Sequence, residues 1–166
     1  NCSGDIKETV DVYQKDLVGH LSSQMGCDPG VLYISPESPN RSPFYISRID
    51  VLENEQPASA IFTWSRMVFR VYYHADYSVR TGSVVLRISN LKNNETLLLF
   101  STQPGLNIPM EIQSGDHYVD CVLLDKLPLS AGEYVLGCGL AVPNKEWLCW
   151  HDRLVLFTVQ PQDVFE

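Results

Sequence analysis

No stretch of the sequence approaches the roughly 20 consecutive apolar residues that a helix needs to cross a bilayer. Apolar runs such as Leu97–Phe100 are far shorter. Positive charge is also scarce: 12 Lys and Arg stand against 20 Asp and Glu, a net charge of −8. With no basic block there is nothing to neutralise a line of phosphates, so no nucleic-acid partner is expected. Catalytic signatures are missing as well. Neither G-x-S-x-G, the P-loop, G-x-G-x-x-G nor H-E-x-x-H occurs, and these patterns carry nucleophile, phosphate, dinucleotide and zinc chemistry. The four histidines, His20, His74, His117 and His151, are scattered without ligand spacing. The expectation is therefore no catalytic residue, no cofactor and no metal. A carboxylate pair of glycosidase type needs only to meet in space, but nothing in the sequence selects one.

Cysteine is present without a redox or zinc pattern. Cys2, Cys27, Cys121, Cys138 and Cys149 include no C-x-x-C pair, and an odd number leaves at least one thiol unpaired. Cys121 and Cys138 sit in apolar segments where a thiol acts as a small hydrophobe. There is no signal peptide, and the sequons at Asn1, Asn40 and Asn94 matter only in a secreted eukaryotic chain. These features point to a reducing cytosol. The chain starts without Met and reads as a piece of a longer protein.

What is present is 166 residues, 45% of them hydrophobic, enough for one packed domain with an appendage. Asp5 to Val18 reads as a helix: Asp5 can cap, Glu8 can close a capping box, and Ile6, Val10, Tyr13 and Leu17 form one apolar stripe. Such a helix must dock on another surface. Residues 19–43, rich in Gly and Pro, read as a linker, with a brief strand at Val31–Ile34. From Phe44 the pattern alternates with period two. Strands are expected at Tyr45–Leu52, Ala60–Trp64, Met67–His74, Ser83–Ser89, Thr96–Thr102, His117–Leu124, Gly132–Val142 and Leu154–Val159. Pro104–Pro109 reads as a loop. With no helical pattern between the strands, residues 44–166 are expected to form an all-β sandwich of immunoglobulin-like or jelly-roll kind.

The remaining chemistry is that of a binding surface. Saccharides are held by aromatic faces and by planar polar groups, and the chain has 3 Trp and 8 Tyr. On Met67–His74 the face opposite the large apolar residues carries Arg70, Tyr72 and His74. On Ser83–Ser89 the matching face carries Arg87 and Ser89. If these two strands pair, the four residues Arg70, Tyr72, His74 and Arg87 make one aromatic and basic patch; ordinary cross-strand pairing on a solvated face is the alternative. Trp147 and Trp150 flank the start of the last strand and join the candidate contacts. At spacing three on a regular strand they point opposite ways, one inward and one outward. Trp64 is expected in the core. Gly137 and Gly139 leave one face of their strand bare, open to a ligand or a second backbone.

The order of these elements resembles a known family. The run Leu127-Pro128-Leu129-Ser130-Ala131-Gly132-Glu133-Tyr134-Val135-Leu136 contains an L-x-x-G-x-Y turn into a late strand, followed by a closing strand and the exit Phe157-Thr158-Val159-Gln160. With the opening Tyr45–Leu52 and the Gly4-Asp5…Val10…Tyr13 segment, the chain resembles the C-terminal portion of Wzt-type nucleotide-binding subunits of O-antigen polysaccharide ABC exporters. The resemblance implies a non-catalytic carbohydrate-binding module in the cytoplasm, at the inner face of the inner membrane in the full-length protein. Residues 1–18 would continue a preceding ATPase domain. The implied partners are O-antigen polysaccharide, a transmembrane permease subunit and a second copy, with exchange of strand 154–159. Two rival functions stand beside this one: a structural or dimerisation sandwich without glycan binding, and a sugar-modifying enzyme. An extracellular glycosylated receptor domain is a weaker third.

Overall fold

The structure, a computed structural model, describes residues 28–37, 41–102, 110–122 and 126–162. The helix expected over Asp5–Val18, the loop Pro104–Pro109, Cys2, Cys27 and His20 lie outside the described residues. The strands are β1 (Val31–Ile34), β2 (Phe44–Glu53), β3 (Gln56–Pro57), β4 (Ile61–Phe62), β5 (Val68–Ala75), β6 (Val79–Asn90), β7 (Thr96–Ser101), β8 (Met110–Ile112), β9 (Gly115–Val122), β10 (Gly132–Val142) and β11 (Glu146–Gln160). They form two sheets. The first runs β1-β2-β5-β9, with β3 beside β2; the second runs β4-β11-β10-β6-β7, with β8 beside β6. All ladders are antiparallel except the short β4–β11 contact.

The period-two reading of the sequence locates the core. On β5, Phe69, Val71, Tyr73 and Ala75 are buried and alternate with half-buried Arg70, Tyr72 and His74. On β6, Val84, Leu86 and Ile88 face inward. Ile46, Ile49 and Val51 of β2 and Leu136, Cys138 and Leu140 of β10 complete the two inner faces. Phe69 meets Phe157 across the sandwich, ring centroids 6.2 Å apart and planes at 64°, an edge-to-face geometry that suits the aromatic quadrupoles. Burying each such side chain stabilises the fold by about 1.5–3 kcal/mol.

The L-x-x-G-x-Y turn has a structural reason. Leu127 and Leu129 are buried, and the hydroxyl of buried Tyr134 donates to the Ser130 carbonyl at 2.8 Å. The turn into β10 is thereby pinned to its first core residue, in the manner of a tyrosine corner.

The short strand expected at Val31–Ile34 is present and pairs with β2. Two sequence expectations are corrected here. Trp64 is 54% exposed rather than core. It follows β4 in a left-handed conformation (φ 60°), and its N–H donates to the Leu127 carbonyl at 3.2 Å, an arrangement that leaves the indole outside. Most consequential, β5 and β6 do not pair. β5 lies between β2 and β9, and β6 between β10 and β7. The single patch expected from Arg70, Tyr72, His74 and Arg87 therefore divides between the outer faces of opposite sheets.

Candidate functional site

On the second sheet β10 carries small residues on its outer face, Gly137, Gly139 and Ala141. Across β6 and β10, Ser83 stands opposite Ala141, Val85 opposite Gly139 and Arg87 opposite Gly137. The lack of bulk is filled by β11 itself. An added β-carbon at Gly137 would lie 2.7 Å from the Asp152 carbonyl oxygen, and one at Gly139 would lie 2.9 Å from Cε3 of Trp150. The second backbone for which the glycines leave room is thus the chain's own last strand, and the Trp150 ring rests on the bare floor at Gly139.

The β10–β11 ladder explains the two tryptophans. Cys149 pairs with Leu140 and Trp147 with Ala141, so Leu148 is one residue too many on β11. A bulge of one residue reverses the side-chain alternation beyond it. Trp147 and Trp150 consequently share the outer face, with ring centroids 4.5 Å apart and planes at 39°. This corrects the expectation that one of them points into the core. Trp147 is 53% exposed. The Pro143-Asn144 turn that joins β10 to β11, with Asn144 left-handed at φ 57°, closes one end of a groove of about 420 Å³. Ser83, Val85, Ser101, Lys145 and Trp147 contribute to its lining. The hydroxyls of Ser83 and Ser101 are 2.8 Å apart at its floor.

Arg87 supports this arrangement from below. Its guanidinium donates to both the carboxylate and the carbonyl oxygen of Asp152 and lies 5.4 Å from the Trp150 ring centroid. It ties the irregular segment of β11 to β6 and backs the indole, so its part is to position Trp150 as much as to offer donors.

The outer face of the first sheet holds the other three residues of the expected patch, Arg70, Tyr72 and His74, in rows across β2, β5 and β9. Asp50, Arg70 and Asp120 form one row; Arg48, Tyr72 and Tyr118 the next; Tyr45, His74 and Asp116 the third. Arg70 and Asp120 make a two-pronged ion pair at 2.7 and 2.8 Å, and the Arg70 guanidinium lies 4.4 Å from the Tyr118 ring centroid. His74 stacks on Tyr45 at 5.1 Å. Its Nδ1 is 2.7 Å from Asp116 and its Nε2 3.2 Å from Asp76. The hydrogen bond to Asp116, reinforced by that to Asp76, raises the His74 pKa above the usual imidazole value, because both favour the cation. Tyr45, Arg48, Tyr118 and Asp120 were not singled out from sequence. The alternation Asp116, Tyr118, Asp120 along the expected His117–Leu124 strand was the available signal.

Among the described residues no three His, Cys, Asp or Glu side chains gather in a way that could hold a metal ion. No described helix is long and apolar enough to cross a membrane. Burial raises the Cys121 thiol to about 11 and pushes the Cys138 and Cys149 thiols upward as well, which disfavours the nucleophilic thiolate at each.

Comparison with known proteins adds family and fold. The profile of the Wzt C-terminal domain matches residues 42–165. A solved structure described as the crystal structure of the C-terminal domain of wzt superposes with a TM-score of 0.64 at 14% identity, over 82% of this chain and 84% of that one. A search of curated proteins finds no significant match.

Proposed function

Taking as premise that this chain belongs to the Wzt C-terminal domain family, we propose that it is the carbohydrate-binding module of an O-antigen ABC exporter. It performs no chemistry itself. It recognises the polysaccharide at the cytoplasmic face of the inner membrane and commits it to the ATPase and permease to which the module is joined. The observation that carries this reading is the pair Trp147 and Trp150, brought to one face by the Leu148 bulge and set beside a groove floored by hydroxyls. Indole faces stack on the C–H-rich planes of pyranose rings, while Ser101, Asn144 and Lys145 can exchange hydrogen bonds with sugar hydroxyls.

An open groove buries little ligand, so one module binds weakly, with a Kd of about micromolar to millimolar. Two modules in a homodimer compensate through effective concentration. β11 pairs with β10 of its own chain over Val155–Val159. Exchange of strand 154–159 between two copies would reproduce the same ladder between chains.

The test is an NMR titration of the isotopically labelled domain with oligosaccharides released from the source bacterium's O-polysaccharide. The expected result is saturable shifts at the Trp147 and Trp150 indole N–H groups. Indole signals that stay fixed across the titration would remove the groove as the site.

A further inference from the structure

We infer that an apolar row at one end of the first sheet's outer face is the docking site of the chain's own N-terminal segment, Asp5–Val18. The inference concerns a contact within the polypeptide and is independent of the ligand the domain binds.

The row is set by register. Pro57 of β3 stands opposite Leu52 of β2, Leu52 opposite Val68 of β5, and Val68 opposite Val122 of β9. The preceding row, Val51, Phe69 and Cys121, is paired in the same way and buried in the core, so alternation turns Leu52, Val68 and Val122 to the outer face. Pro57 is exposed, Val122 is 56% exposed, and Leu52 and Val68 are half-buried. Three branched aliphatic side chains and a proline thus lie in a line toward solvent. On the same face the next row is Asp50, Arg70 and Asp120, held in ion pairs, which rims the apolar strip with charge. An exposed apolar strip with a polar rim marks a contact surface.

Location and length select the occupant. The chain enters the described domain beside this strip: the Val51 N–H donates to the Gly30 carbonyl at 2.7 Å, and a β-carbon on Gly30 would lie 2.8 Å from Cβ of Pro57. The sequence before that point holds Ile6, Val10, Tyr13 and Leu17 at helical spacing, a stripe that gains stability by packing on a surface. As a helix, Ile6 to Leu17 would span about 16 Å at about 1.5 Å per residue. Four strands about 4.8 Å apart make the row about 14 Å long. Residues 19–27 reach about 30 Å when extended, enough to return the stripe to any point of the row.

A second copy fits this strip less well. Four side chains are far fewer than the roughly 20–30 residues per partner of a stable interface. Each copy also carries a net charge of −8, which opposes association. A tethered segment needs no such area, because its effective concentration near the row is about millimolar. Seated there, the segment fixes the orientation of the sandwich relative to the polypeptide on its N-terminal side.

The test is methyl NMR on the complete 166-residue chain, labelled at Ile, Leu and Val, comparing the wild type with Val10→Asp, Val12→Asp and Val122→Asp. Val10 belongs to the stripe, and Val12 falls on the other side of the same turns. The expected result in the wild type is nuclear Overhauser contacts from the methyls of Ile6, Val10 and Leu17 to those of Leu52, Val68 and Val122. Val10→Asp and Val122→Asp each remove the Ile6 and Leu17 contacts, and Val12→Asp leaves them in place. Unchanged methyl signals of Ile88 and Leu136, both in the core, show that the sandwich stays folded in each variant. The inference is overturned if the wild type shows no such contacts, if they persist in Val10→Asp, or if Val12→Asp removes them as fully. It is equally overturned if, in a mixture of labelled and unlabelled chains, the contacts run only between molecules, which would make the strip an interface between copies.

Discussion

Trp150 lies across Gly139: a β-carbon placed on that glycine would stand 2.9 Å from Cε3 of the indole and 3.0 Å from the Trp150 Cα. The glycine and the indole that packs on it are thus one construction, and neither can change alone. Gly139→Ala is expected to push β11 away from β10, because the obstacle includes backbone as well as the ring. The expected cost is about 1–3 kcal/mol of stability, together with loss of glycan-induced shifts at Trp147. Urea denaturation and the same titration measure the two effects. A variant as stable as the parent and still binding would show that the contact relaxes at no cost.

Trp147→Ala separates binding from folding. The indole is more than half exposed, so removing it should change stability by less than about 0.5 kcal/mol. Oligosaccharide affinity in the groove should fall roughly tenfold, about 1.4 kcal/mol. Calorimetric titration alongside thermal unfolding gives both numbers. A large loss of stability would place Trp147 in the fold and not at a contact surface.

Tyr134→Phe tests the turn into β10. The variant keeps the buried ring and loses the 2.8 Å bond to the Ser130 carbonyl, which, on an exposed residue, is left to water. About 0.5–1.5 kcal/mol of destabilisation is expected, read as a lower urea midpoint at unchanged slope.

His74 gives the sandwich a pH dependence whose sign follows from its partners. Asp116, then Asp76, hold its folded-state pKa above the ordinary 6.5. A raised folded pKa means a stabilising contribution that is complete below the unfolded value and disappears as pH rises through the folded one. The difference in melting temperature between wild type and His74→Gln should therefore be largest near pH 5–6 and shrink towards alkaline pH. A difference that grows with pH would contradict the two carboxylate contacts.

The thiols supply a further check. Cys121 and Cys138 are buried with raised pKa values. Iodoacetamide at pH 8 should leave both unmodified in the native protein and label them in denaturant, as peptide mapping would show. Rapid native labelling of Cys138 would mean that the β10–β11 ladder opens readily.

Much of this molecule was legible in its residues before any coordinates. The alternation of Phe69, Val71 and Tyr73 with Arg70, Tyr72 and His74 fixed which side of β5 is buried, and Val84, Leu86 and Ile88 did the same for β6, because a strand has no other way to bury one set and expose the other. The L-x-x-G-x-Y turn is likewise a local property. Which strands become neighbours is not local: β5 and β6 are consecutive and both alternate, yet they belong to opposite sheets. That choice is made by the whole set of inner-face residues packing at once, and it divided an expected patch into two surfaces. The sidedness of Trp147 and Trp150 was also beyond a period-two reading. One surplus residue, Leu148, reverses the count, and a bulge shows itself only when β11 is laid against the register of β10.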